Sequence, residues 1–120
     1  MRTIKFRAWD TRQKCMQTWE FLNKLCPFED LFKSKLYSPL MQYTGLTDEN
    51  IKDVYEGDII KRPIYQIPAE YCGDELFVVE FNHCAFREVP IDRHNKGDVL
   101  SDFNIEVIGN IYENPELLES

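Results

Sequence analysis

Leu40-Met41-Gln42-Tyr43-Thr44-Gly45-Leu46, then the polar stretch Thr47 to Asp53, then Val54-Tyr55-Glu56-Gly57-Asp58-Ile59-Ile60-Lys61: this part of the chain decides the fold. Its apolar runs are only a few residues long and are interrupted by Gly45 and Gly57. An amphipathic helix needs apolar positions at three- and four-residue spacing over ten or more residues, whereas short runs broken by turn formers read as strands. Thr44-Gly45 and Gly57-Asp58 are expected to be backbone turns, the second launching a strand, because glycine reaches positive φ without steric penalty.

Toward the N-terminus, Ile4, Phe6 and Ala8 alternate with Lys5 and Arg7, the period of a half-buried strand. Asp10 to Lys14 supplies a polar turn before Met16 to Phe21, so the start of the chain is expected to be a hairpin. Pro27, Glu29 and Asp30 resemble the first turn of a helix, with Lys33 and Lys35 at its far end. Leu25, Phe28, Leu31, Phe32 and Leu36 would form its apolar face, and Ser38-Pro39 would end it.

Toward the C-terminus, Pro63, Ile67, Pro68 and Gly73 argue for a loop, since proline donates no ladder hydrogen bond. Leu76 to Phe81 and Ala85 to Val89 read as strands joined through Asn82, His83 and Cys84. Pro90 to Ser101 is polar, with its tip at Asn95 to Asp98. Phe103, Ile105 and Val107 alternate as a last strand, which Gly109-Asn110 bends or bulges. Asn114-Pro115-Glu116 reads as the N-cap, first position and first-turn acid of a helical turn carrying Leu117 and Leu118. The pattern predicts a mainly β, β-rich α+β chain built as a small barrel. Residues 1–39 form a hairpin and helix packed on a body made by residues 40–120, the whole being one compact unit.

Its 120 residues are enough for a core without disulfide or metal staples. No apolar run approaches the ~20 residues needed to span a bilayer, and the first residues lack the continuous apolar segment of a secretory signal. A cytoplasmic protein without a membrane partner is therefore expected. Cys15, Cys26, Cys72 and Cys84 include no C-x-x-C pair and read as reduced, mostly core thiols. Net charge is −7, unevenly spread: residues 1–39 carry eight Lys/Arg against four Asp/Glu, and residues 40–120 six against seventeen. So acidic a body repels a phosphate backbone, which argues against nucleic acid as a general partner.

Three blocks carry a family resemblance. They are Ile4 to Asp10, the stretch Leu40 to Leu46 continuing to Tyr55-Glu56-Gly57-Asp58-Ile59-Ile60, and Glu106-Val107-Ile108-Gly109-Asn110-Ile111-Tyr112-Glu113-Asn114-Pro115-Glu116-Leu117-Leu118. In order and wording the chain closely resembles the YopX family of phage and prophage proteins. The resemblance implies an SH3-like barrel from about Leu40 onward, with the hairpin and helix added to it, and a phage or prophage origin. It implies no activity. The chain departs from the family's wording at Asn50-Ile51-Lys52-Asp53, where Asn-Gly-Lys-Glu is common. Isoleucine in place of that glycine is costly if the turn needs positive φ.

Several chemistries can be weighed residue by residue. Cys72, His83, Cys84 and His94 are acceptable zinc ligands, but structural zinc sites bring ligands in close pairs on tight knuckles, and neighbours such as His83 and Cys84 on a strand would point to opposite faces. Nothing local marks an activated cysteine. Asp48, Glu49 and Asp53 share a loop without the spacing of a calcium site. Gly45 and Gly57 belong to no phosphate-cradling motif. No catalytic, cofactor or metal residue is therefore expected. Trp9, Trp19, Tyr43, Tyr55 and Phe86 are candidates for a binding face, most of them serving the core. The expected function is that of a noncatalytic phage or prophage accessory protein working through contacts with a host or phage protein and with further copies of itself. The alternative is weak nucleic-acid binding through Lys5, Arg7, Arg12 and Lys14 of the basic hairpin.

Overall fold

The computed structural model describes residues 3–25, 36–66, 70–91, 97–101 and 104–119. Strand β1 (Phe6–Asp10) and strand β2 (Cys15–Gln17) form the expected N-terminal hairpin, with Asp10 opposite Cys15. The buried Asp10 sets the turn by accepting the backbone N–H groups of Arg12 and Gln13 on Oδ1, each at 2.9 Å. The second strand is shorter than expected: it ends at Gln17, and Trp19–Leu25 is a helix, α1. Thr18 makes the difference. Its Oγ1 accepts the Phe21 N–H at 3.3 Å and its carbonyl the Leu22 N–H at 3.0 Å, so the chain is capped into a helix that Glu20 and Lys24 suit electrostatically. The fully buried Leu22 meets Ala8, with Trp19, Tyr37 and Leu40 around them. The helix expected from Pro27 lies outside the described residues, apart from its ends at Leu25 and Leu36.

Strands β3 (Met41–Thr47) and β4 (Asp53–Tyr55) continue the same sheet, in the order β2-β1-β3-β4, because β1 also pairs with β3 at Phe6–Gln42 and Arg7–Met41. The hairpin is thus hydrogen-bonded to the strand that begins the long motif. Thr44-Gly45 is not a turn. It lies inside β3, where Gly45 at φ +90° sits in a register irregularity opposite β4. Gly57 does turn the chain, at φ +84°, and strand β5 (Asp58–Gln66) starts immediately after it.

The second sheet has the order β8-β7-β6-β5-β9, with β6 (Glu70–Asn82), β7 (Ala85–Pro90), β8 (Asp98–Val99) and β9 (Glu106–Asn110). Pro63 and Gly73, expected in a loop, lie instead in a ladder, with Pro63 facing Asp74 and Gly73 within β6, while Ile67 and Pro68 of that expected loop lie outside the described residues. Strand β9 pairs with β5 only as far as Lys61, so among the described residues one flank of β5 beyond it has no strand partner. There a proline deprives no ladder of a donor. His83 and Cys84 form a two-residue turn at φ +46° and +64°, the left-handed geometry that follows the twist of a hairpin. The expected irregularity near Gly109 is a bulge one residue earlier, as Ile59 faces Gly109 while Ile60 faces Val107, leaving Ile108 over. Asn114 precedes a 3-10 turn, Pro115–Leu118, but does not cap it; its Oδ1 accepts the Asn110 N–H at 3.2 Å.

The two antiparallel sheets curl into a half-barrel, so the mainly β small-barrel expectation holds. Between them lie Val54, Ile60, Val79, Leu100, Ile105 and Val107. Full burial of such side chains stabilises by about 1.5–3 kcal/mol each. Asp48 ties the sheets together. Its Oδ1 accepts the N–H groups of Asn50 and Lys52, and its Oδ2 accepts the Val107 N–H on β9, all at 2.9 Å.

Candidate functional site

The Tyr55-Glu56-Gly57-Asp58 turn gathers bonds from both ends of the chain. Lys5 and Arg7 are two residues apart on an extended segment and so share one face of the sheet. Lys5 Nζ donates to Asp53 Oδ2 at 2.7 Å and lies 4.7 Å from the Tyr43 ring centre. Arg7 Nη2 donates to Asp58 Oδ1 at 2.7 Å and to the Glu56 carbonyl at 3.2 Å, with its guanidinium 4.6 Å from the Tyr55 ring centre. The second Asp58 oxygen accepts the Tyr55 N–H at 2.8 Å. Glu56 Oε1 accepts the Gln42 N–H, and Gly57 donates to the Val79 carbonyl and accepts from the Ile111 N–H. A Cβ at Gly57 would come within 3.0 Å of Met41 Sδ, so close packing and positive φ both call for glycine.

These contacts set the local electrostatics. Burial pushes the Asp58 carboxyl above the usual carboxylate range, and the Arg7 guanidinium and the Tyr55 N–H offset part of that. The hydrogen bond to Asp53 raises the Lys5 ammonium against a smaller opposing effect of burial. Burial raises the Tyr55 hydroxyl. On the second sheet Arg62 bonds both Glu88 oxygens, at 2.6 and 3.2 Å, and burial lifts the Glu88 carboxyl while Arg62 counters it.

The other residues weighed from sequence are dispersed. Cys84 is exposed and Cys15 half-buried, both as free thiols, so these two are not core cysteines. Cys26, His94 and the Cys72 side chain lie outside the described residues. His83 and Cys84 are not on a strand with opposed side chains; they are the turn between β6 and β7. No group of three metal-ligating side chains occurs among the described residues. In the acidic loop, Asp48 is committed to three backbone donors and Asp53 to Lys5, while Glu49 is exposed. Trp9, Trp19, Tyr43, Tyr55 and Phe86 are all half-buried, and Trp9 stacks on Tyr112 at 5.9 Å, joining the hairpin to the C-terminal block. No helix among the described residues is long and apolar enough to cross a membrane.

Behind the glycine turn lies an open cleft of about 430 Å³. Leu40, Met41, Val78, Phe81, Ile111 and Leu118 give it an apolar lining, with Glu56, Glu80, Asn82 and Tyr112 as polar members. Phe81 is 55% exposed and packs edge-on against Phe86 at 5.1 Å. A family model described as YopX protein matches residues 16–119. The chain belongs to the YopX family. It is also similar to the crystal structure of protein EF1440 from Enterococcus faecalis, at 27% identity and a TM-score of 0.66, covering 99% of this chain and 100% of that one. None of the curated proteins compared with it matches.

Two of the YopX-like blocks meet in this cleft, Leu40-Met41 with Glu56-Gly57 from the middle of the chain and Ile111-Tyr112 with Leu118 from its end. Sequence reasoning missed Glu80, Phe81 and Asn82. Phe81 continues the alternation of Phe77 and Val79 and so reads as one more inward residue. Its exposure arises because β5 begins at Asp58 and pairs with β6 no further along than Val78, so the end of β6 lacks β5 beside it.

Proposed function

We propose that this YopX-family chain is a noncatalytic accessory protein of a phage or prophage, acting in the host cytoplasm through protein contacts and associating with itself. The observation that carries the reading is the exposed Phe81 beside the apolar cleft built from two motif blocks. A large aromatic at the mouth of a groove is a usual anchor of a protein interface. The buried carboxylates support a structural use of charge, since Asp48, Asp58 and Glu88 each accept backbone or arginine donors that hold elements together. The phage setting rests on the family resemblance, and the cytoplasmic location on the short apolar runs and the cysteine spacing of the sequence.

The test is capture from a host lysate with the tagged protein and with a Phe81→Asp variant. A partner retained by the parent and lost by the variant is the expected result, and equal capture by both refutes the reading. Light scattering over a range of concentrations checks self-association, which a constant monomer mass contradicts. Weak nucleic-acid binding is the second reading. Arg12 and Lys14 stand exposed in the β1–β2 turn and favour it, whereas Lys5 and Arg7 are engaged by Asp53 and Asp58. Two remaining phosphate contacts would give a salt dependence of only about −2 in log K against log salt. Absence of binding in a low-salt anisotropy titration removes this reading.

A further inference from the structure

Ile51, in the loop between β3 and β4, is held in a state that gains it little within one chain. Its φ is +62° and it is 83% exposed, and branching at Cβ makes that left-handed backbone costly. Single exposed apolar residues are common, but strain and exposure together at one residue point to a use outside the fold. The loop is also firmly tied. Asp48 Oδ1 accepts the Asn50 and Lys52 N–H groups, the Asp48 carbonyl accepts the Ile51 N–H, Asp48 donates to the Lys52 carbonyl, and Glu49 donates to the Ile105 carbonyl, all within 3.1 Å. Ile51 is thus an apolar knob on a preorganised mount, and little conformational freedom is lost when it docks.

The cleft beside Gly57 is its counterpart. The carboxylates lining it are engaged within the chain: Glu56 Oε1 accepts the Gln42 N–H, and Glu80 stands opposite Arg87 in the β6–β7 ladder. What remains to be covered is apolar surface, from Leu40, Met41, Phe81, Ile111 and Leu118. One acceptor is left over as well. Asn82 Oδ1 is buried without a hydrogen bond among the described residues, while Asn50 and Lys52, exposed on either side of the knob, carry side-chain N–H donors. Knob and cleft lie at opposite ends of β3 (Met41–Thr47), roughly 20 Å apart at about 3.4 Å per residue, so one chain cannot fill its own cleft with its own knob.

We propose that Ile51 of one chain inserts beside Phe81 into the cleft of a second copy. The inference rests on the self-association proposed above and names the two surfaces that make it. Because these surfaces differ and lie at opposite ends of β3, the contact is heterologous. Each bound pair still offers a knob at one end and a cleft at the other, so copies add head to tail.

The test is light scattering of the full chain over a range of concentrations, for the parent, Ile51→Gly, Phe81→Asp and an equimolar mixture of these two variants. The parent's mass should rise past that of a dimer. Each variant alone should need about tenfold or more protein to reach the same mass, the loss expected when one apolar side chain is no longer buried. Ile51→Gly relieves backbone strain, so its fold is not put at risk, and Ile51→Asn, which also suits the left-handed region, should behave alike. Circular dichroism checks the fold of Phe81→Asp. In the mixture, Ile51→Gly supplies an intact cleft and Phe81→Asp an intact knob, so a species of twice the monomer mass should form and grow no further. Parent association that Ile51→Gly leaves unchanged, a parent that stops at the dimer, or a mixture no larger than its separate components overturns the proposal while self-association stands. A parent of constant monomer mass refutes self-association itself.

Discussion

Replacing Ile51 with glycine should stabilise this protein, although it removes a hydrophobic side chain. Ile51 sits at φ +62° in the loop between β3 and β4 and is 83% exposed. A left-handed conformation costs an ordinary L-residue about 1–2 kcal/mol, and branching at Cβ makes isoleucine a poor occupant. Little packing is lost at such exposure. Glycine removes the steric cost but adds about 0.5–1 kcal/mol through the greater freedom of the unfolded chain. The net gain is about 0.5–1 kcal/mol, or roughly 2–5 °C in melting temperature for a domain of this size. The Ile51 N–H donates to the Asp48 carbonyl at 3.0 Å, and glycine keeps that bond. Urea denaturation followed by tryptophan fluorescence gives the free energy, and calorimetry the melting temperature. Asn, tolerant of the left-handed region and without glycine's entropic cost, serves as a second variant and should also stabilise. If both variants match the parent or fall below it, the backbone at residue 51 is not strained and the reasoning fails.

Asp48→Asn should destabilise by about 1–3 kcal/mol at pH 7, because an amide offers one acceptor oxygen where the carboxylate uses two. Burial alone would raise the Asp48 carboxyl, but the N–H groups of Val107, Lys52 and Asn50 together hold it below the usual range. Its contribution is therefore present above the unfolded value near 3.8 and lost as pH falls through the lower folded value, so urea midpoints measured from pH 5 to 2 should fall less steeply in the Asn variant. Arg62→Ala should cost about 2 kcal/mol by stranding Glu88, whose side chain is 9% exposed, and adding Glu88→Leu should recover much of it in a double-mutant cycle read by urea unfolding. Gly97→Ala should be among the most damaging single substitutions: the new Cβ would lie 2.2 Å from the Glu88 carbonyl oxygen, on backbone that cannot swing aside, and thermal unfolding should show a loss of several degrees.

The elements most legible from the chain are those whose pattern is local. The hairpin turn at Asp10 to Lys14, the Gly57-Asp58 turn, the link through His83 and Cys84 to the strand starting at Ala85, and the left-handed demand on Ile51 can each be read from a few neighbouring residues. Misread elements depended on partners elsewhere. Thr44-Gly45 resembles a turn until β4 lines up beside it and makes it an irregularity in a strand. Pro63 argues against a strand until β9 is seen to leave β5 at Lys61. Trp19 to Phe21 passes for the rest of a hairpin unless Thr18 is recognised as a cap and Leu22 as a core residue. For the candidate site, the blocks supplying Leu40, Gly57 and Ile111 were visible as words but not as neighbours.

By itself the sequence determined the β-rich class, the family and the glycine at the central turn, since these depend on periodicity, on residue order and on the φ angles each residue type tolerates. Only the tertiary structure decided how charge and exposure are used. Lys5 and Arg7, which along the chain look like a basic strand open to phosphate, are held by Asp53 and Asp58 about fifty residues away. Phe81, which looks like core, is left at the mouth of an acidic, apolar cleft. Ion pairing and burial are relations between segments brought together by the fold, so periodicity along the chain carries no record of them.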